Sequence, residues 1–166
     1  MISPIVVTLA QLEETVDSFN EDDLNRVPFQ GSWTAGQVAR HLIISNSGFL
    51  QMLHGPVKDT LRDPNQFVEN IKADFLNFNI KMKNPDFTEP ENIHYKKEKL
   101  LTDMGRISEG LNQAANALDL AQTCTSFELP VYGFLTRAEA IAFVLYHTQR
   151  HIHQLKNIRY KLDHKD

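Results

Sequence analysis

Two histidines four residues apart, His147 and His151, stand in the run His147-Thr-Gln-Arg-His151-Ile-His-Gln154. On a helix each residue turns roughly 100°, so such a pair lies about 40° apart on one face. Two imidazoles so placed can share one metal ion. His153 lies about 200° from His151 and cannot join them while the helix is regular. It falls instead on an arc with Glu139, Gln149, Lys156 and Asn157, which the periodicity assigns to solvent. Ile141, Val144, Leu145, Ile152 and Leu155 form the apolar face. Ala140, His147, His151, Gln154 and Ile158 form a stripe on its flank.

A third imidazole comes from far away in the chain. Val38, His41, Leu42, Ser45, Phe49 and Met52 share the inward arc of an earlier helix. The positions four and seven after His41 are small, Ser45 and Gly48, which leaves room beside the ring. A lone histidine on an apolar face is more often a satisfied core residue. Beside an i,i+4 pair on another helix it becomes a candidate third ligand. Three neutral imidazoles with one open position make the usual catalytic zinc arrangement. Other chemistries find no support. Thr148 stands where the metalloprotease motif needs a glutamate after its first histidine. No phosphate-cradling glycine loop and no G-x-S-x-G turn occurs. Cys124, the single cysteine, has no local histidine partner and reads as a structural thiol. No general base can be named. Tyr146 and His153 lie on the wrong arc, and helical phase does not place Glu98 and Asp103.

The elements that must hold these residues are helical. Ile5, Leu9, Leu12, Val16 and Phe19 predict a helix over 5–24. Thr34 with Gln37 forms a capping box that opens a helix over 34–53, with Trp33 just before the cap. Leu101, Met104, Ser108, Leu111, Ala115 and Leu118 predict a helix over 97–122, although Gly105 and Gly110 weaken it. Thr136 with Glu139 is a second capping box and opens a helix over 136–160. Between helices 2 and 3 lies a long crossover, 55–96. A short helix from Pro64 through Ile71 is expected there, then a half-buried extended piece carrying Phe78, Ile80 and Met82. Residues 126–134 read as a turn with one brief strand. A single all-α domain over 1–166, a four-helix bundle, is the expected architecture.

Composition narrows the partners. The formal net charge is −4, with no clustered basic patch, which argues against nucleic acid. Hydrophobic residues make up 42% and charged residues 23%, an ordinary globular balance. No stretch of about 18 apolar residues and no signal-type N-terminus is present, so neither a membrane nor export is expected. One cysteine permits no disulfide framework, and a cytoplasmic location follows as the expectation.

At this point a family comes into view. Trp33-Thr-Ala-Gly-Gln-Val-Ala-Arg-His41-Leu resembles the second-helix signature of the DinB-like proteins, and the closing run resembles their H-x-x-x-H-x-x-Q motif. The resemblance covers nearly the whole chain. It implies helices in up-down-down-up order and a divalent metal, zinc or nickel, held by His41, His147 and His151. Gln154 matches the last motif position, where it would serve the second ring nitrogen of a ligand or helix contact. Relatives of this kind include transferases that use bacillithiol or mycothiol and some hydrolase-like members. The resemblance therefore implies a small-molecule substrate, with a low-molecular-weight thiol as co-substrate, and members that pair as homodimers. Three functions stand beside one another. They are a metal-dependent S-transferase or hydrolase, a non-catalytic metal-binding or stress-response module, and a homodimeric interaction protein.

Overall fold

Alternating apolar faces fold this chain into a mainly helical protein, which a computed structural model describes over residues 3–164. The elements are α1 (Pro4–Asp17), α2 (Glu21–Leu24), α3 (Ala35–His54), β1 (Val57–Lys58), α4 (Val68–Leu76), a 3-10 turn (Asp86–Thr88), α5 (Lys97–Ala117), β2 (Thr123–Cys124) and α6 (Arg137–Asp163). The four long helices close a ring of neighbours: α1 against α5 and α6, and α3 against α5 and α6. α4 lies along α6. The two short strands pair antiparallel, Val57 opposite Cys124. Among the described residues no helix is long and apolar enough to cross a membrane.

Both capping boxes form as the sequence predicts. Thr34 accepts from the N–H of Gln37, whose side chain returns to the Thr34 N–H. Thr136 and Glu139 do the same at the start of α6. Each box sets the phase of the helix that follows, and hence where its histidines point. Gly110 in α5 also has a reason: a β-carbon there would come within 2.7 Å of the Leu50 side chain on α3. Two apolar clusters fill the interior. One gathers Leu12, Val16, Val38, Leu42, Met104, Ile152 and Leu155; the other gathers Leu9, Leu53, Ile71, Leu111, Leu135 and Val144. α6 gives Val144 to the second and Ile152 to the first, so His147 and His151 lie where the clusters meet.

Several expected elements are corrected. The helix over 5–24 breaks after Asp17, because Asn20 caps a separate turn by accepting from the Asp23 N–H at 2.8 Å. The helix expected to 122 ends at Ala117. The chain beyond it turns so that the carbonyls of Leu120 and Gln122 accept from Ala138 and Arg137, two of the free N–H groups of the first turn of α6. The short crossover helix starts later than expected, at Val68. The extended piece at Phe78, Ile80 and Met82 is not a half-buried strand; all three are exposed on an irregular strap. Among the described residues no strand lies beside it, and its carbonyls at Asn77 and Ile80 accept from Arg150 instead. The brief strand lies at Thr123–Cys124, ahead of the 126–134 turn.

Candidate metal centre

His41 sits two turns into α3, and His147 and His151 sit near the middle of α6. The two helices set their rows face to face. His41, Ser45 and Phe49 follow one another along α3; His151, His147 and Phe143 run the other way along α6. The Phe49 and Phe143 rings stack at 4.6 Å, which closes one end of this seam. At the other end the three imidazoles meet. Nε2 of His41 lies 3.2 Å from Nε2 of His147, and Nε2 of His151 lies 3.1 Å from the same atom. The ligand atoms of all three fall within 4.8 Å of one another.

The far ring nitrogens decide what those Nε2 atoms can be. Nδ1 of His41 lies 2.9 Å from the Thr88 carbonyl, a group that only accepts, so the ring donates from Nδ1 and its Nε2 carries a lone pair. Nδ1 of His151 lies 2.7 Å from Oε1 of Gln154, which accepts in the same way. Two bare Nε2 atoms therefore face His147, which has one proton for two nitrogens. Its Nδ1 is buried without a hydrogen-bond partner. Phe75 and Phe143 cover the ring instead, with centroids 5.3 and 5.6 Å away.

This donor set fits a metal ion. A tetrahedral zinc with bonds of about 2.0–2.1 Å holds its ligand atoms roughly 3.3–3.4 Å apart, close to the spacings here. His147 has one proton for its two nitrogens and can answer only one of the two lone pairs that face it, whereas a cation among the three Nε2 atoms answers all of them. Electrostatics keeps the donors available. Burial, with the neighbouring His41 and Arg150 charges, drives His151 down to about 3, against a smaller upward pull from Gln154. Burial first, then the charges of His151, His41 and Arg150, pushes His147 well below its ordinary value. Burial also lowers His41, although the Thr88 bond and Glu89 oppose it. All three rings are neutral near pH 7, the state that binds metal.

The structure brings His41, His147, His151 and Gln154 together. It leaves His153 out: that ring is exposed and stacks on Phe78 at 3.9 Å, its plane tilted by only 2°. Cys124 is buried in β2, remote in role from the imidazoles, and burial raises its thiol pKa. Lys156 and Asn157 share the exposed arc with His153, while Gln149 is half-buried. Glu139 contradicts the solvent assignment altogether. It is 0% exposed and takes two bonds from Arg62, at 2.6 and 2.7 Å. The capping box was the available signal, because a side chain that reaches back to its N-cap does not point to water. The Thr88 carbonyl had no sequence signal, since a backbone acceptor is supplied by the path of the chain rather than by a residue type. Arg150, which donates to the carbonyls of Phe75, Asn77 and Ile80, was equally hidden.

Comparison with known proteins identifies the family. The sequence pattern of the DinB superfamily matches residues 5–155. An uncharacterized protein of Bacillus subtilis (strain 168), YuaE, is 26% identical over 145 residues, covering 87% of this chain and 88% of YuaE. No solved structure matches significantly.

Proposed function

The chain belongs to the DinB superfamily, which includes metal-dependent enzymes, and from that premise we propose that it is such an enzyme, with His41, His147 and His151 holding a zinc or nickel ion. The observation that carries this reading is the convergence of three Nε2 atoms, two of them deprotonated by the acceptors behind them. When bound, such an ion supplies Lewis acidity and lowers the pKa of a thiol or water that coordinates it. The remaining work is done by this chain's residues. Thr88 and Gln154 fix two rings in the tautomer that presents Nε2. Phe75 and Phe143 keep water from His147. Trp33, 5.2 Å from the His41 ring, shields that ligand's flank. The reaction we propose is S-transfer from a low-molecular-weight thiol to a small electrophile, or hydrolysis of a small molecule.

The same proposal includes an up-down-down-up four-helix bundle, one domain over 1–166, a cytoplasmic location and pairing of two copies. The ring of contacts among α1, α3, α5 and α6 supports the bundle, and the family likeness supports the rest. One observation favours a second reading. His41 is 2% exposed and His147 8%, with only His151 half-buried, so the centre is largely enclosed and suits a metal-binding module without turnover.

Metal analysis of untagged protein tests the site. One divalent ion per chain is expected in the wild type, and none in His41→Ala or His147→Ala. A wild type that takes up neither zinc nor nickel sinks the metal reading. Screening the loaded protein with several thiols and chlorodinitrobenzene, and with simple esters and amides, then separates enzyme from module. Turnover by none of them leaves the second reading.

A further inference from the structure

The strap between α4 and α5 is tied to residues beside the metal ligands. At one end, Arg150, immediately before His151, donates to the carbonyls of Phe75 at 3.2 Å, Asn77 at 3.0 Å and Ile80 at 2.5 Å. Two of these belong to the end of α4, where a cation also complements the helix dipole. His153, two residues after His151, stacks on Phe78. At the other end, Arg40, immediately before His41, makes a bidentate pair with Glu91, both bonds 2.9 Å. Between these ties the Thr88 carbonyl accepts from His41 itself.

The middle of the strap is different. Among the described residues Lys81, Met82 and Lys83 make no hydrogen bond, and all three are exposed. Asn84 bonds only within the strap, to the Pro85 carbonyl and to Glu89. A segment with few buried contacts and solvent-exposed ties opens at low cost. Beneath it His41 and His147 are buried and His151 is half-buried, so opening of the strap widens the path of an ion or ligand to the buried pair.

We infer that residues 77–91 form a gate over the three-histidine centre, latched by Arg150 with Phe78 at one end and by Arg40 at the other. This rests on the metal reading above. Metal and closed gate support each other through one bond. The His41–Thr88 bond is made by the neutral ring; an ion on Nε2 of His41 excludes the other tautomer and makes Nδ1–H a stronger donor, which tightens that bond. A loaded centre therefore holds the strap down, and by reciprocity a held strap retains the ion. Arg150 and Phe78 act on passage rather than as ligands. Loosening them speeds both uptake and release of metal, whereas losing a ligand abolishes binding.

Two measurements on the full chain test this. Trypsin cutting after Lys81 and Lys83, followed by mass spectrometry, reads strap opening directly. Zinc-loaded protein is expected to be cut there about tenfold more slowly than protein stripped with EDTA, a coupling within the ~5–150-fold range of ordinary linked sites. Stopped-flow transfer of zinc to a chromophoric chelator, with uptake followed by fluorescence of the single tryptophan, Trp33, reads passage. Arg150→Ala, which removes all three of its strap ties, is expected to speed release and uptake at least several-fold. Phe78→Ala, on the exposed strap, is expected to fold normally and to speed both several-fold. Equal trypsin rates with and without zinc overturn the gate, as do unchanged exchange rates in folded Phe78→Ala. Failure of the wild type to bind zinc at all overturns both the gate and the metal reading, and it shows before any exchange is measured.

Discussion

Helix α6 carries two buried polar clusters, and they are built on opposite principles. At its N-terminus Glu139 is fully satisfied: Arg62 gives two bonds, and the N–H groups of Thr136 and Phe67 give one each. Two to three turns later the histidines are not satisfied, with Nε2 atoms crowded together and His147 Nδ1 unpartnered. A buried charge whose bonds are all supplied from inside the protein ties elements together. A buried set of converging nitrogen donors has the chemistry to hold a cation. Both clusters look polar on a helical wheel, and only their partners separate a tether from a site.

Breaking the tether should have the largest effect on stability. Arg62→Met leaves a buried carboxylate without its cation, which costs about 3 kcal/mol, the low end for such a pair because Arg62 is partly exposed. Urea unfolding of the metal-free protein checks it. Burial alone would raise the Glu139 pKa, but Arg62 and the two N–H groups bring it below its ordinary 4.5. The tether's contribution is therefore present above about pH 4.5 and fades as pH falls through the lower folded value. The gap between wild type and Arg62→Met should shrink over that acid range; a constant gap would show that the charge is not what matters.

Smaller changes sharpen the other side. Gln154→Ala removes the acceptor that orients His151 and should weaken zinc binding about 10–100-fold in a competition titration. His147→Leu should abolish metal binding yet leave the metal-free protein as stable as wild type or up to ~1 kcal/mol more stable, since an unpartnered buried nitrogen disappears. A large loss of stability there would make the triad a structural cluster like that of Glu139. The smallest effect is expected for His153→Ala, with metal content unchanged and stability within about 0.5 kcal/mol, as for most exposed positions.

Much of the centre was legible because helical phase is a local property. The i,i+4 spacing of His147 and His151, the small residues after His41 and the two capping boxes fix where those side chains leave their helices. The same phase rule misplaced Glu139. A wheel counts residues around one helix and does not see Arg62 arriving from a crossover 77 residues earlier in the chain. It also joined α1 to α2, because apolar periodicity runs on through Phe19 while the Asn20 cap does not.

The sequence by itself determined the apolar face of each long helix, the capped starts of α3 and α6, and the imidazoles able to meet. Those outcomes depend on the backbone turn per residue and on bonds within four positions. The tertiary structure alone decided that the three rings do meet, which nitrogen of His41 and of His151 is free, and that an irregular strap is tied to the helices beside them. Each of these rests on a backbone carbonyl or a side chain brought from a distant stretch, Thr88 behind His41 and Arg150 beneath Ile80. No local spacing encodes such an approach, because it is set by where whole helices come to rest against one another.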